Sequence, residues 1–232
     1  MNKLVNCGLE NRFGTNCLKW DGLKSRFGNE NLIAMWVADM DFKAPQPVID
    51  ALKERVNHGI FGYNIIPDSY YEAFINWEKE KHGYNVKKEW IRFSPGVVPA
   101  LFWFINILTN PGDSCIVMGP VYYPFHDAIK ENERKLIFNN LKNDNGIYTI
   151  DFEKFEEDII ENQVKLFILS SPHNPIGRVW TKEELKRVLD ICKANDVFVL
   201  ADEIHQDIII GDKKQIPAAT IGNYDDILVT LT

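Results

Sequence analysis

The sequence predicts an α/β fold, a mainly parallel β-sheet covered by helices. Three observations carry that expectation. From Trp90 onward, short apolar runs alternate with segments of helical periodicity, the pattern of strand–helix–strand units. The runs "CIVM", "LFIL" and "VFVLA" are continuously apolar, as expected of strands buried on both faces. Each run, like "WIRF" before them, ends in a small, Pro-bearing or acidic turn: Ser94-Pro95-Gly96 after "WIRF", then Gly119-Pro120, Ser171-Pro172-His173-Asn174-Pro175 and Asp202-Glu203-Ile204-His205. Ligands of wound sheets bind beyond the carboxyl ends of the strands, so these turns are the candidate site.

The elements follow in order. The first forty-odd residues are mixed, Gly-bearing and without a clear period, and read as an extended arm. "NLIAMWVADMDF" (Asn31 to Phe42) reads as a strand-like segment ending in an acidic loop. "APQPVIDALKERVNHG" reads as a helix: Pro47 suits a first turn, Val48, Leu52 and Val56 share a face, and Gly59 can end it. A second helix is expected after Ser69-Tyr70-Tyr71-Glu72, which has capping-box spacing. "WIRFSPG" predicts a strand and turn, and "VVPALFWFINILT" an apolar helix. "SCIVMGP" predicts a strand, "YPFHDAIKEN" a helix, and "KLIFNN" a strand. "VKLFILSSP" is a strand entering a Pro-rich loop. "TKEELKRVLDICKAN" is a helix, with a capping box at Thr181 and Glu184 and with Leu185, Val188, Leu189 and Cys192 at helical spacing. "VFVLADE" and "DILVTL" complete the set of strands.

Composition narrows the function classes. The chain has 232 residues and 45% hydrophobic content, enough for a substantial core without disulfides. A net charge of −7 argues against nucleic acid as a partner. The four cysteines, Cys7, Cys17, Cys115 and Cys192, are scattered, which argues against a zinc site or a disulfide framework. Cys115 and Cys192 sit in apolar patterns and are expected in the core. The N-terminal residues lack an apolar signal region, and no run has the length of a membrane span. The expectation is a cytoplasmic protein without a membrane partner. There is no GxGxxG and no Walker loop.

Chemistry-bearing residues stand at the strand ends. Gly96, Val97 and Val98 open a helix, whose free N–H groups and dipole favour a phosphate, although a plain turn has the same sequence. Asn174 lies between two prolines and offers an amide donor and acceptor, and its bond to Pro175 is a candidate for cis. Asp202 ends an apolar run, where a buried carboxylate requires a donor or a cation. A protonated ring nitrogen would supply one, and so would Arg or Lys. His205 lies three residues on. Tyr122 follows "MGPV" and can stack flat on an aromatic ring. A phosphate cradle, an aromatic platform, an amide and a buried carboxylate together suit a phosphorylated pyridine ring.

"SSPHNPIG" followed by "LADEIH" resembles the fold-type I pyridoxal phosphate enzymes of the class I/II aminotransferase group. "GTNCLKWD", "VADMDF", "HGIFGYN" and "NPIGRVWTKEEL" resemble the cystathionine beta-lyase branch, which includes the modulator of the bacterial maltose regulon. Ile176 departs from the usual NPTG. The resemblance implies an aminotransferase-like large domain over residues 45–232, incomplete, preceded by an arm and small-domain segment over 1–44, with the C-terminal small domain missing. It implies pyridoxal 5′-phosphate as cofactor. Asp202 would pair with the pyridine nitrogen, Asn174 and His205 with the phenolic oxygen, Tyr122 with the ring face, and Gly96, Val97 and Val98 with the phosphate. Tyr63 would reach the phosphate of a neighbouring subunit, implying a homodimer with shared sites, and the backbone of Ala38 would line the substrate carboxylate.

The activity implied is a carbon–sulfur beta-lyase acting on a small amino acid such as cystathionine and yielding thiol, pyruvate and ammonia. The alternatives are a class I/II aminotransferase and a non-catalytic regulatory binding protein. In the family, a Ser-x-Ser-Lys segment follows the strand matching "ILVTLT". No lysine of this chain matches the catalytic one, so no catalytic residue is assigned, and the chain by itself is expected not to turn over.

Overall fold

A computed structural model of the chain describes residues 8–232. Cys7 lies outside the described residues. The chain forms two compact units, one ending at Ile65 and one spanning Ile66–Thr232.

In the first unit, two short helices, α1 (Leu18–Asp21) and α2 (Leu23–Phe27), precede α3 (Gln46–His58). The expected strand at Asn31–Phe42 does not form. Its one backbone bridge pairs Phe42 with Leu9, and Ile33 and Met35 point to solvent. Side chains fix this segment instead of a ladder. Asp41 accepts from Lys19 Nζ at 2.8 Å and Trp20 Nε1 at 2.9 Å, and Arg12 pairs with Asp39 at 2.8 Å. The hydrogen bond from Lys19 and then that from Trp20 hold the Asp41 carboxyl below its ordinary pKa. Helix α3 follows its expected bounds, with Gly59 at φ 74° ending it in the left-handed conformation that glycine tolerates. Val48, Leu52 and Val56 are 48%, 62% and 64% exposed, so the apolar stripe of α3 is uncovered.

The second unit opens with α4 (Asp68–Trp77), which continues into a wider turn over Glu78–His82. The capping box expected at Ser69 is absent. The helix starts two residues earlier, at Asp68 after Pro67, which places Ser69 inside the first turn. The expected strand at "WIRFSPG" is also absent: a short turn covers Lys88–Trp90, and the residues after it are unpaired with the sheet. Apolar sequence makes a strand only where a neighbouring edge accepts its hydrogen bonds.

The remaining elements keep the expected strand–helix alternation, with a helix at Phe152–Glu161 and the strand pair Lys142–Asp144 and Ile147–Thr149 added to those expected. They are α5 (Val97–Leu108), β1 (Ser114–Gly119), α6 (Pro124–Glu131), β2 (Lys135–Asn140), β3 (Lys142–Asp144), β4 (Ile147–Thr149), α7 (Phe152–Glu161), β5 (Val164–Ser170), α8 (Lys182–Ala194), β6 (Phe198–Asp202) and β7 (Leu228–Leu231). Strands β3 and β4 form a separate antiparallel hairpin. The other five form one parallel sheet in the order β2-β1-β5-β6-β7.

Alternate residues along each buried strand serve opposite faces. One core layer joins Ile116, Phe167, Leu169 and Val199 to Phe155, Leu185, Val188 and Cys192. The other joins Cys115, Val117, Leu166 and Leu200 to Leu101, Ile105, Phe125 and Ile129. Both expected core cysteines are buried, and burial pushes the Cys115 thiol up to about 12 and that of Cys192 higher still. The capping box of α8 is present, with Glu184 N–H on Thr181 Oγ1 at 3.1 Å and Thr181 N–H on Glu184 Oε2 at 2.8 Å. Among the described residues no helix is long and apolar enough to cross a membrane.

Phe167 is fully buried, and its ring centroid lies 5.0 Å from that of Phe155 in an edge-on arrangement. Phe167→Ala is expected to destabilise the chain by about 3–5 kcal/mol in urea unfolding, since the closed layer leaves the cavity unfilled. A loss below about 1 kcal/mol would mean that this layer is not close-packed.

Candidate functional site

The parallel sheet brings the ends of β1, β5, β6 and β7 to one edge. Ser170 stands beside Asp202 across β5 and β6, and Asp202 beside Leu231 across β6 and β7. From β1 the chain winds through α6 to β2 on one side, whereas β5 and β6 continue on the other. The crevice between β1 and β5 is therefore the topological switch point, where wound sheets bind ligands. The loop after β1 carries Tyr122 to this crevice, and the loop after β5 carries Asn174.

Each loop has a local cause. At Gly119, the last residue of β1, a Cβ would lie 1.9 Å from the Phe138 ring, so the position takes no side chain. The peptide bonds Gly119–Pro120, Ser171–Pro172 and Asn174–Pro175 are cis, the last as expected. Asn174 N–H donates to Ser170 Oγ at 3.1 Å, and Ser170 Oγ–H donates to the Pro172 carbonyl at 3.1 Å. Trp180 Nε1–H donates to the Ser170 carbonyl at 2.9 Å, and Gln215 Nε2–H to the Ser171 carbonyl at 2.9 Å. Ile176, the departure from NPTG, packs half-buried against the core.

Asp202 is 7% exposed. Burial raises its carboxyl pKa, opposed first by the Ile204 N–H, 3.2 Å from Oδ1, and then by His205. Neither Arg nor Lys takes part, so the salt bridge left open by the sequence does not form among the described residues. Tyr122 is half-buried, and its hydroxyl is pushed up by burial, then by Tyr123 and Asp202. Tyr122, Asp202 and His205 thus share one electrostatic neighbourhood. Asn174 and His205 line a cavity of about 270 Å³ with Ile208 and Ile210. Gly96 and Val97 line another of about 270 Å³ with Ile204, Leu231 and Thr232. Val98 follows in the first turn of α5, where N–H groups have no intrahelical acceptor. The second unit therefore gathers seven of the nine expected residues at one sheet edge. Ala38 and Tyr63 belong to the other unit, and both are exposed.

Sequence reasoning does not single out Glu203 or His173. Glu203 is 2% exposed; its Oε1 accepts the Ala218 N–H at 2.7 Å, and Glu78 and Asp202 add negative charge. His173 is 1% exposed and bonds across the crevice to Pro120. Both stand inside quoted motifs, but only tertiary packing reveals their burial.

These features define an α/β protein with a candidate ligand site at a sheet switch point, and comparison with known proteins places the chain in a family. The chain belongs to the aminotransferase class I and II family, which it matches over residues 30–232. It is 43% identical over 222 residues to cystathionine beta-lyase PatB of Bacillus subtilis strain 168, an alignment covering 95% of this chain and 57% of that protein. It is 31% identical over 220 residues to protein MalY of Escherichia coli K12, covering 94% and 56%. It superposes on the crystal structure of cystalysin from Treponema denticola, which contains a pyridoxal 5′-phosphate cofactor, with TM-score 0.90 and 36% identity over 96% of this chain and 57% of that one. The chain thus spans a little over half the length of these relatives.

Burial pushes the Glu203 carboxyl up to about 8, from 4.5. A proton held more tightly in the folded state stabilises it fully below the unfolded pKa, and that stability is lost as pH rises from about 4.5 through about 8. The melting temperature should therefore fall between about pH 5 and about pH 9, and Glu203→Gln should flatten that fall. An equally steep fall in the variant would show that Glu203 is ionised at neutral pH.

Proposed function

We propose that this chain carries the cofactor-binding part of a pyridoxal phosphate-dependent carbon–sulfur beta-lyase. The observation that carries the reading is Asp202: a buried carboxylate at the switch-point edge with no cation of its own. It fits a protonated pyridine nitrogen, and the first turn of α5 fits a phosphate.

In this reading Asp202 holds the proton on the ring nitrogen. Asn174 and His205 bond the phenolic oxygen, and Tyr122 covers one ring face. The N–H groups of Gly96, Val97 and Val98 hold the phosphate, with the α5 dipole behind them. When bound, the cofactor supplies an electron sink for the substrate's α carbon. The backbone of Ala38 receives the substrate carboxylate, and Tyr63 reaches the phosphate of a second subunit. The substrate class is a small sulfur amino acid, cleaved to thiol, pyruvate and ammonia; the cystathionine beta-lyase name of a relative supports the substrate class. The reaction belongs to the cytoplasm, with neither nucleic acid nor membrane as partner.

A class I/II aminotransferase is the second reading, favoured by the family description itself. Product analysis of the complete protein separates them: pyruvate with free thiol marks the lyase, and a glutamate-coupled keto acid marks the aminotransferase.

Asp202→Ala should weaken pyridoxal phosphate binding about 30-fold or more, because a buried charge-assisted pair is lost. Titration followed by cofactor absorbance checks this, and unchanged affinity would overturn the placement of the ring. The uncovered α3 stripe supports a homodimer with shared sites. Sedimentation should give a dimer for the parent and a monomer for Leu52→Lys. A monomeric parent would remove the shared-site role of Tyr63.

A further inference from the structure

His173 lies inside the molecule, between the two loops that flank the switch-point crevice. Its Nε2 is 2.9 Å from the Pro120 carbonyl, a contact spanning 53 residues of sequence. A carbonyl only accepts, so Nε2 carries the hydrogen. In the neutral ring Nδ1 is then the acceptor, and that atom is buried without a hydrogen-bond partner among the described residues. Burial disfavours the imidazolium most, and Arg178 adds positive charge nearby; these outweigh the Pro120 and Met118 carbonyls. The structure thus holds one tautomer, neutral with hydrogen on Nε2.

The ring is also fixed from other directions. It stands edge-on to Trp180 at 5.4 Å and 87°. The His173 N–H donates to the Arg178 carbonyl at 2.7 Å, and its carbonyl accepts the Gly177 N–H at 2.8 Å. Pro120 stands two residues before Tyr122, and His173 directly precedes Asn174. The Nε2–H bond therefore joins the chain that carries the aromatic platform to the chain that carries the amide.

We propose that His173 is a positioning residue: by tying the Pro120 carbonyl to the Asn174 loop, it sets the gap between Tyr122 and Asn174 into which the cofactor ring fits. This rests on the cofactor reading above. His173 touches neither ring nor substrate, and its effect passes through the two neighbours. A merely structural histidine would affect melting but not the geometry of the crevice.

The test compares the parent with His173→Phe and His173→Gln. Phenylalanine keeps the ring packing against Trp180 but cannot donate, whereas the glutamine Nε2–H reaches the same carbonyl. Pyridoxal phosphate is titrated into each well below its melting temperature, following affinity and the near-ultraviolet circular dichroism of the cofactor band. The expected result for His173→Phe is about tenfold weaker binding with a diminished band, the scale of one lost orienting hydrogen bond. His173→Gln is expected to restore both to within about threefold of the parent, the remainder reflecting a longer, less rigid donor.

If the parent binds and His173→Phe binds equally well with the same band, the positioning role is overturned while the cofactor reading stands. The positioning role is likewise overturned if His173→Gln folds normally but fails to restore what His173→Phe loses. If the parent itself does not bind, the cofactor reading falls and takes this inference with it. Nitrogen chemical shifts of the His173 ring give an independent check: hydrogen on Nδ1 would overturn the proposed bond.

Discussion

The buried carboxylate of Asp202 is the constraint on which the site depends. A parallel sheet buried on both faces offers few places for charge, and the end of a central strand is one of them. Register places Asp202 beside Ser170 on one side and Leu231 on the other, deep enough for burial to raise its pKa. The Ile204 N–H and His205 oppose that shift without supplying an ion pair. A carboxylate in this position gains from any bound cation. The sheet that excludes water from Asp202 is also what would make a bound cation favourable there.

The surrounding loops are held by side chains, because loops have no ladder. Ser170 bonds both the Pro172 carbonyl and the Asn174 N–H, Trp180 fixes the Ser170 carbonyl, and Gln215 fixes that of Ser171. Such bonds are individually modest, yet together they leave the Asn174 loop little freedom. A ligand that needs ordered partners then loses less entropy on binding. The acidic loop of the first unit follows the same logic, with Arg12, Lys19 and Trp20 gripping Asp39 and Asp41 around Met40. This is the physical content of the "LKWD" and "ADMD" motifs.

Much of this is legible in the sequence, and the rest fails for identifiable reasons. Continuous apolar runs mark β1, β5 and β6 because they are buried on both faces, and Thr181 with Glu184 marks the start of α8. The runs at Asn31–Phe42 and Trp90–Phe93 mislead because local composition says nothing about whether an edge is present to pair with. Ser69 misleads because Pro67 already starts the helix. The β3–β4 hairpin has a signal that the strand–helix alternation hides: Asn145-Gly146, whose φ values of 49° and 90° suit a tight primed turn. Strand ends name Asn174 and Asp202 by topology alone. His173 and Glu203 cannot be singled out in that way, because their significance lies in burial and in partners 53 and 15 residues away.

Asp202 and Glu203 are adjacent buried acids with different neighbours. Both are buried, and burial raises both. Glu203 has Glu78 and Asp202 as unfavourable neighbours and the Ala218 N–H as donor, so a proton is its most accessible neutralisation. A neutral Glu203 adds no second negative charge beside Asp202. Had Glu203 been ionised, its field would have raised the Asp202 pKa further and made the carboxylate harder to sustain. A carboxyl pushed up to about 8 favours its neutral form at neutral pH, which opposes a charge on Asp202 less than an ionised neighbour would. Burial raises both carboxyls, and a cation bound at the strand edge would offset that rise at Asp202.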